Sequence, residues 1–484
     1  MNPKDLKGKF FKDYFSYGMV EVIGKVARLA LLPILTRNLS AEEYGTIDLI
    51  LAISALLILF NGFGLNASLG RYYNINDGKQ GIYSTHLLLN LVGSIFFTLI
   101  LYPFSSSISI LINNNDELTE FIKLGILAAF FGGLANLPLM LLRRQHRVVT
   151  FGFINMSDAL LYTTLAIYFV VVKDIGLIGI FYAHLFGNVA KFIFSLMLTY
   201  KEFVLKIELN QIIRYLKFSI PYFPAAFVGW ANYELNRFLI ISTLGFSSLG
   251  FFGASIRISN IMDFFTRAFK NTWLPLSMEM IQDEVDFAVY RKAAKYYFTL
   301  FILLIVIFNF LSPLVIYLVL PKNYFHIYKL IPFITGAYLF RASSGIFNVG
   351  AAIVEKTLIT STSSWLGLLV NSSITYFLCQ EIGILGAAIG LFLGQFTAQS
   401  FQLYNTEKLM KISYDLKYLL HSTVFYSVHS VLIVLIAIYY DNNMGTILLI
   451  NGVVTIAAVA YYIRFVSGLS FIKDIVLRLK IKLE

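Results

Sequence analysis

Seven basic side chains lie inside long apolar stretches of this sequence: Lys25, Arg28, Lys191, Arg237, Arg257, Arg267 and Arg341. A charge at the centre of a membrane-spanning helix costs at least ~2.5–3.5 kcal/mol, so such residues face a wet cavity or an ion partner. Their spacing favours shared surfaces. Glu21, Lys25 and Arg28 stand at i, i+4 and i+7, one face of a helix, and His184, Asn188 and Lys191 repeat that pattern. Glu234 and Arg237 are three apart, while Arg257, Asn260, Phe264 and Arg267 fall on one stripe with Asp263 beside it. Arg341 sits in mid-run, and Gln395, Gln399 and Gln402 line one side of another run.

These cations outnumber the deep acids Glu21, Asp158, Glu234 and Asp263. A cavity lined by them would be net positive and suited to an anion. Guanidinium groups favour phosphate, because their planar fork donates two parallel hydrogen bonds. A plainer reading stands beside this one. Glu21–Lys25 and Glu234–Arg237 also suit structural ion pairs, His184 a packing role, and the glutamines interhelical hydrogen bonds. Arg28, Arg257 and Arg341 have no obvious acid nearby in sequence and are the stronger cavity candidates. The four acids are candidates for ion coupling or pairing. Lys123 and Arg464 lie near run ends, where long side chains snorkel to the headgroups.

The chemistry that is missing narrows the field. There is no phosphate-binding glycine loop, no nucleophile motif and no cluster of metal-ligand type, and Cys379 stands alone. The expectation is a protein with no metal, no cofactor and no enzymatic activity. The acidic loop around Glu279, Asp283, Glu284 and Asp286 reads as a solvated surface, and 472–483 as a membrane-surface tail.

The elements that must position these residues are helices in lipid. Of 484 residues, 58% are hydrophobic and 13% charged, against about 25% charge in soluble domains. A soluble globule, a disordered chain and a disulfide scaffold are excluded. Fourteen apolar runs have spanning length: 15–36, 45–68, 83–104, 119–142, 150–172, 176–199, 218–243, 249–269, 295–319, 328–350, 357–379, 383–404, 418–440 and 444–466. The first carries Glu21, Lys25 and Arg28 and does not read as a cleavable signal peptide. With the N-terminus inside, about 25 Lys and Arg fall on the inner side and about 4 outside. That bias puts both termini in the cytoplasm and makes the net charge of +11 a topology signal, not a nucleic-acid footprint.

The chain also repeats itself. Gly176, Gly179 and Gly187 match Gly383, Gly386 and Gly394 at one constant offset, and Gly45 matches Gly250 at nearly the same one. The fold class expected is all-α and polytopic, with two pseudo-symmetric six-helix lobes (1–200 and 218–405). A basic linker (201–217) joins them, and two extra helices and a basic tail follow (406–484). Parallel repeats of this kind are a transporter design, with substrate bound between the lobes and access alternating.

Several stretches resemble bacterial polysaccharide and O-antigen repeat-unit flippases. They are Leu35 to Gly45, Leu65 to Tyr73, Ser219 to Pro224, Asn236-Arg237, Leu249 to Gly253, Trp273 to Pro275, Glu355 to Thr357 and Gly383 to Ala388. That family belongs to the multidrug/oligosaccharidyl-lipid/polysaccharide exporter superfamily. The resemblance implies an inner-membrane protein that moves an undecaprenyl-pyrophosphate-linked oligosaccharide from the cytoplasmic to the periplasmic leaflet. Its implied partners are that lipid-linked oligosaccharide, the bilayer, an H⁺ or Na⁺ counter-ion, and polymerase and chain-length proteins of the same pathway.

Two other readings are kept open. One is a peptidoglycan-precursor flippase or a drug antiporter of the same superfamily, although expelling organic cations favours an acidic cavity. The other is a membrane polymerase or glycosyltransferase, which needs a long outer loop. The longest here is about 105–118.

Overall fold

A computed structural model describes residues 24, 26–73, 81–145, 147–204, 206–282, 287–354, 356, 358–440 and 444–467. Helices α1 (26–38), α2 (Ala41–Gly62), α3 (Leu65–Tyr72), α4 (Ile82–Leu101), α5 (Ser105–Asn113) and α6 (Thr119–Arg144) come first. Then follow α7 (Val148–Ile167), α8 (Ile178–Thr199), α9 (Ile212–Ser219), α10 (Phe223–Gln282), α11 (Ala288–Val319) and α12 (Ile331–Phe347). The series ends with α13 (Val349–Ile353), α14 (Leu358–Ile382), α15 (Leu385–Met410), α16 (Leu416–Tyr439) and α17 (Met444–Tyr461). There is no strand among the described residues.

Each apolar run is mostly helical over its described part. Among the described residues, nine helices are long and apolar enough to span a bilayer, or ten if the bent pair Lys322–Lys329 and Ile331–Ala351 counts as one. One of the nine, Leu209–Thr266, holds two runs at once. They meet at Gly245, where φ is +80° and ψ −179°, a backbone state open only to glycine, and α10 breaks there. Helices α14 and α15 have spanning length but bury Asn371, Thr375, Gln395, Gln399 and Gln402, which lowers their apolarity. They compensate by close approach: a Cβ on Gly394 would lie 2.6 Å from the Gly367 carbonyl oxygen. Small residues at a helix interface are how spans associate without a hydrophobic driving force.

The chain divides into two compact units, 1–250 and 251–484. In the first, α6 carries a stripe of glycines that lets α2 and α8 pack closely. Gly125 lies against Ile50 and Ser54, and Gly132 against Asn188 and Ile58. The backbone oxygens of this face are used, with the Ser54 hydroxyl donating to Gly125 O at 3.0 Å and Asn61 to Ala129 O at 3.1 Å. Helix α2 starts on a capping box, the Ser40 hydroxyl accepting from Glu43 N while the Glu43 carboxylate accepts from Ser40 N.

The part of α10 before Gly245 runs along α2. Trp230 Nε1 donates to Ala52 O at 3.2 Å, and near the break the two backbones almost touch. A Cβ on Gly45 would fall on the Phe246 carbonyl oxygen, and one on Gly250 on that of Ala41. The glycines that open corresponding spans of the two repeats therefore meet each other.

The basic linker is folded rather than slack. Val204 N and Glu208 N donate to the hydroxyls of Ser84 and Thr85. The Tyr215 hydroxyl bonds the Glu208 carboxylate, and the Ser219 hydroxyl donates to Ser68, which in turn contacts His86 at 2.8 Å. Helix α9 buries Tyr215 and Ser219 on one face and exposes Ile213, Arg214 and Lys217 on the other. Residues 105–113, read from sequence as loop, form α5, amphipathic enough to bury Ser105 and Ser109 while Leu111 stays exposed.

In the second unit, α12 packs on α15, and α11 on α12, α16 and α17. The repeat is visible in the backbone: Gly176 and Gly383 have φ of +63° and +65°, and α8 and α15 each begin two residues later.

Candidate functional site

Among the described residues, three ionic clusters gather Arg28, Lys191, Arg237 and Arg341 with their acids. The first joins α1, α7 and α8. Asp158, 9% exposed, is contacted by Arg28 at 3.0 Å and by Lys191 at 3.6 Å. It sits over Gly187, whose missing side chain leaves room for α7 to close on α8. The Arg28 side chain is 58% exposed despite this contact. One turn from Lys191, Asn188 donates to the His184 carbonyl at 2.9 Å, and the His184 ring meets Tyr162 edge-on. His184 is thus a packing residue at the margin of the cluster.

The second cluster joins α2 and α10. Arg237 Nε donates to Asp48 at 2.7 Å, and its Nη1 pairs with Glu234 at 2.6 Å and donates to Tyr233 O at 2.7 Å. Arg237 and Asp48 are 11% and 6% exposed, so this group is held inside the packing.

The third lies in the second unit, between α10 and α12. Asn260 accepts from the Tyr338 hydroxyl at 2.9 Å, Asp263 pairs with Arg341 at 2.5 Å, and Lys270 donates to Ser344 at 3.1 Å. Numbers rise together along both helices, so this part of α10 and α12 run in the same direction. The Arg341 guanidinium also lies 4.6 Å from the Tyr338 ring centroid, a cation–π distance. Arg257 is half-buried on α10, one turn before Asn260.

Compared with the sequence reading, Glu234–Arg237 is a pair as the plainer alternative had it. Arg28 and Arg341, which lack acids nearby in sequence, find them on other helices. Asp48 escaped notice, although it is a carboxylate inside the second apolar run, the same signal that singled out Asp158 and Asp263. Glu21 and Lys25 lie outside the described residues, as do the side chains of Arg267 and Glu279, the residues Asp283, Glu284 and Asp286, and the tail from 468. Among the described residues, no group of three His, Cys, Asp or Glu side chains could hold a metal ion.

Known structures share this fold. A lipid II flippase, MurJ, in an inward closed conformation matches with a TM-score of 0.69 at 15% identity, covering 92% of this chain and 97% of that one. A multidrug resistance MATE family transporter of the MOP superfamily in an inward-facing conformation gives 0.65 at 17% identity, covering 81% and 94%. A point mutant of the Vibrio cholerae MATE transporter VcmN gives 0.60 at 14%, covering 83% and 97%. The sequence has no significant match among the curated proteins. Residues 34–329 match the family described as polysaccharide biosynthesis protein. This chain, a polytopic membrane protein with the fold of the MOP transporters, belongs to that polysaccharide biosynthesis protein family.

Proposed function

We propose that the protein is a flippase, not an enzyme. It translocates an undecaprenyl-pyrophosphate-linked oligosaccharide from the cytoplasmic to the periplasmic leaflet of the inner membrane by alternating access. The observation that carries this reading is the surplus of cation at Asp158 among the described residues. Arg28 and Lys191 share one carboxylate, and most of the Arg28 side chain remains open. A pyrophosphate brings the anionic oxygens that such a pair lacks, and a guanidinium can bind it by two parallel hydrogen bonds without releasing Asp158 completely. Lys25, Arg257, Arg267 and Arg341 are further headgroup contacts in this proposal. Asp158, Asp263, Glu234 and Glu21 are the candidates for coupling to H⁺ or Na⁺. The membrane potential favours the export of each negative charge by ~2.3 kcal/mol per 100 mV.

Transport of a lipid-linked sugar is supported by the family assignment and by the fold shared with a lipid II flippase. The same likeness favours a second reading, in which the cargo is the peptidoglycan precursor itself. Complementation separates the two. The proposal expects surface polymer to return in a strain lacking its repeat-unit flippase, and no rescue of a strain lacking its lipid II flippase. The reverse pattern selects the second reading. Arg28→Ala and Lys191→Ala should insert normally yet fail to restore polymer; full display by both would remove the anion-binding role.

A further inference from the structure

At one end of residues 1–250 the ends of α3, α6 and α8 are tied together. Gln145 donates to the Tyr73 hydroxyl at 2.9 Å, and that hydroxyl donates to Glu202 at 3.2 Å. Beside this knot three rings pack, with Tyr72 5.4 Å from Tyr215 and 5.5 Å from Phe218 between centroids. Tyr72 and Tyr215 are buried, so the rings are fixed. Two guanidinium groups rest on them. Arg71 lies 4.8 Å from the Phe218 centroid and 6.0 Å from that of Tyr72, and Arg214 lies 4.8 Å from Tyr72, all cation–π distances. The two arginines therefore share one ring. Lys217 follows Arg214 by one turn.

This group has cations to spare. Arg71, Arg214 and Lys217 are exposed, and no ion pair among the described residues involves any of them. The two carboxylates of the linker are engaged elsewhere, Glu202 with Tyr73 and Glu208 with Tyr215. Stacking occupies the face of a guanidinium and leaves its N–H edge free to donate, and Arg214 spends only a 3.4 Å contact on Gln211. Apolar surface lies directly alongside. Leu209, Ile213 and Ile220 are each more than half exposed and stand four and seven residues apart, one stripe of a helical stretch. Depth agrees with this mixture. Measured back from the break at Gly245, a hydrocarbon core of ~30 Å takes up about 20 residues of helix, which leaves α9 at headgroup level. A dissolved phosphate would engage the cations and ignore the isoleucines, and a zwitterionic headgroup would bring an ammonium to a surface that is already positive. An anionic phospholipid suits both halves of the surface.

We infer that Arg71, Arg214 and Lys217 form a binding site for the headgroup phosphate of an anionic phospholipid, whose acyl chains cover Ile213 and Ile220. The inference goes beyond the flippase reading and holds whichever cargo the protein carries. The test is native mass spectrometry of the full-length protein in detergent, titrated with phosphatidylglycerol, phosphatidylethanolamine or inorganic phosphate. Phosphatidylglycerol should be retained at least about tenfold more tightly than phosphatidylethanolamine, and millimolar phosphate should not displace it. Arg71→Gln/Arg214→Gln should weaken that retention by more than about tenfold. Arg143→Gln/Arg144→Gln removes the same charge from exposed residues at the end of α6 and should change it less than about threefold. If the first double variant does not fold, Lys217→Gln is read instead and should weaken retention about fivefold. Equal retention of the two lipids, displacement by phosphate, equal losses in the two double variants, or unchanged retention in Lys217→Gln overturns the inference.

Discussion

Among the described residues, Arg28 and Lys191 both contact the carboxylate of Asp158, whereas Asp48 and Glu234 both contact the guanidinium of Arg237. Both clusters belong to residues 1–250 and draw on the same side-chain types. Their settings differ. Arg28 is more than half exposed, whereas Arg237 is nearly enclosed by its acids and the Tyr233 carbonyl. A buried ion pair broken from one side leaves a charge without compensation, while an exposed pair is worth little because solvent screens it. On the reading proposed above, the Arg237 cluster serves the packing of α2 on α10, and the Asp158 cluster keeps charge to offer a ligand. A deep arginine in a membrane protein is functional or structural according to its balance of partners, not its depth.

The comparison can be attacked from its strong side first. Arg237→Ala takes the shared cation from two carboxylates and should cost about 3–5 kcal/mol, seen as a lower melting temperature in detergent and a reduced yield in membranes. If it melts like the parent, the structural half of the contrast fails. Gly250→Ala forces a Cβ onto the Ala41 carbonyl, an overlap expected to cost about 1–3 kcal/mol by the same measurement. Ser40→Ala breaks the α2 capping box, at about 1 kcal/mol, and should leave polymer display intact. Arg28→Ala stands at the other end. Its thermal stability should change by less than about 1 kcal/mol, as for other solvent-open pairs, yet surface polymer should be lost on immunoblots. A large melting shift in Arg28→Ala would erase the distinction between the clusters.

The sequence reading reached the all-helical polytopic fold and the glycine repeat but not the pairing of charges. Apolar runs are legible because length and hydropathy are local properties, and the glycine repeat because positive-φ turns at Gly176 and Gly383 demand the same residue. Partner choice is not local. Arg28 meets Asp158 across 130 positions and Arg237 meets Asp48 across 189, distances over which helix periodicity carries no information. Glu234–Arg237, three apart on one helix, was the pair within reach. The α5 helix was hidden by its shortness and its serines, which read as loop until their hydroxyls find backbone partners such as Asn115 O.

The crossing of Gly45 and Gly250 has a mechanical corollary. Main chain lies directly on main chain there, with Gly250 N and Gly45 N facing each other's missing side chains at 3.0 and 3.1 Å. Parting these strands of peptide would uncover almost no greasy surface and would strand no rotamer, so the junction can come undone cheaply. Re-sealing needs no side chain to find its slot.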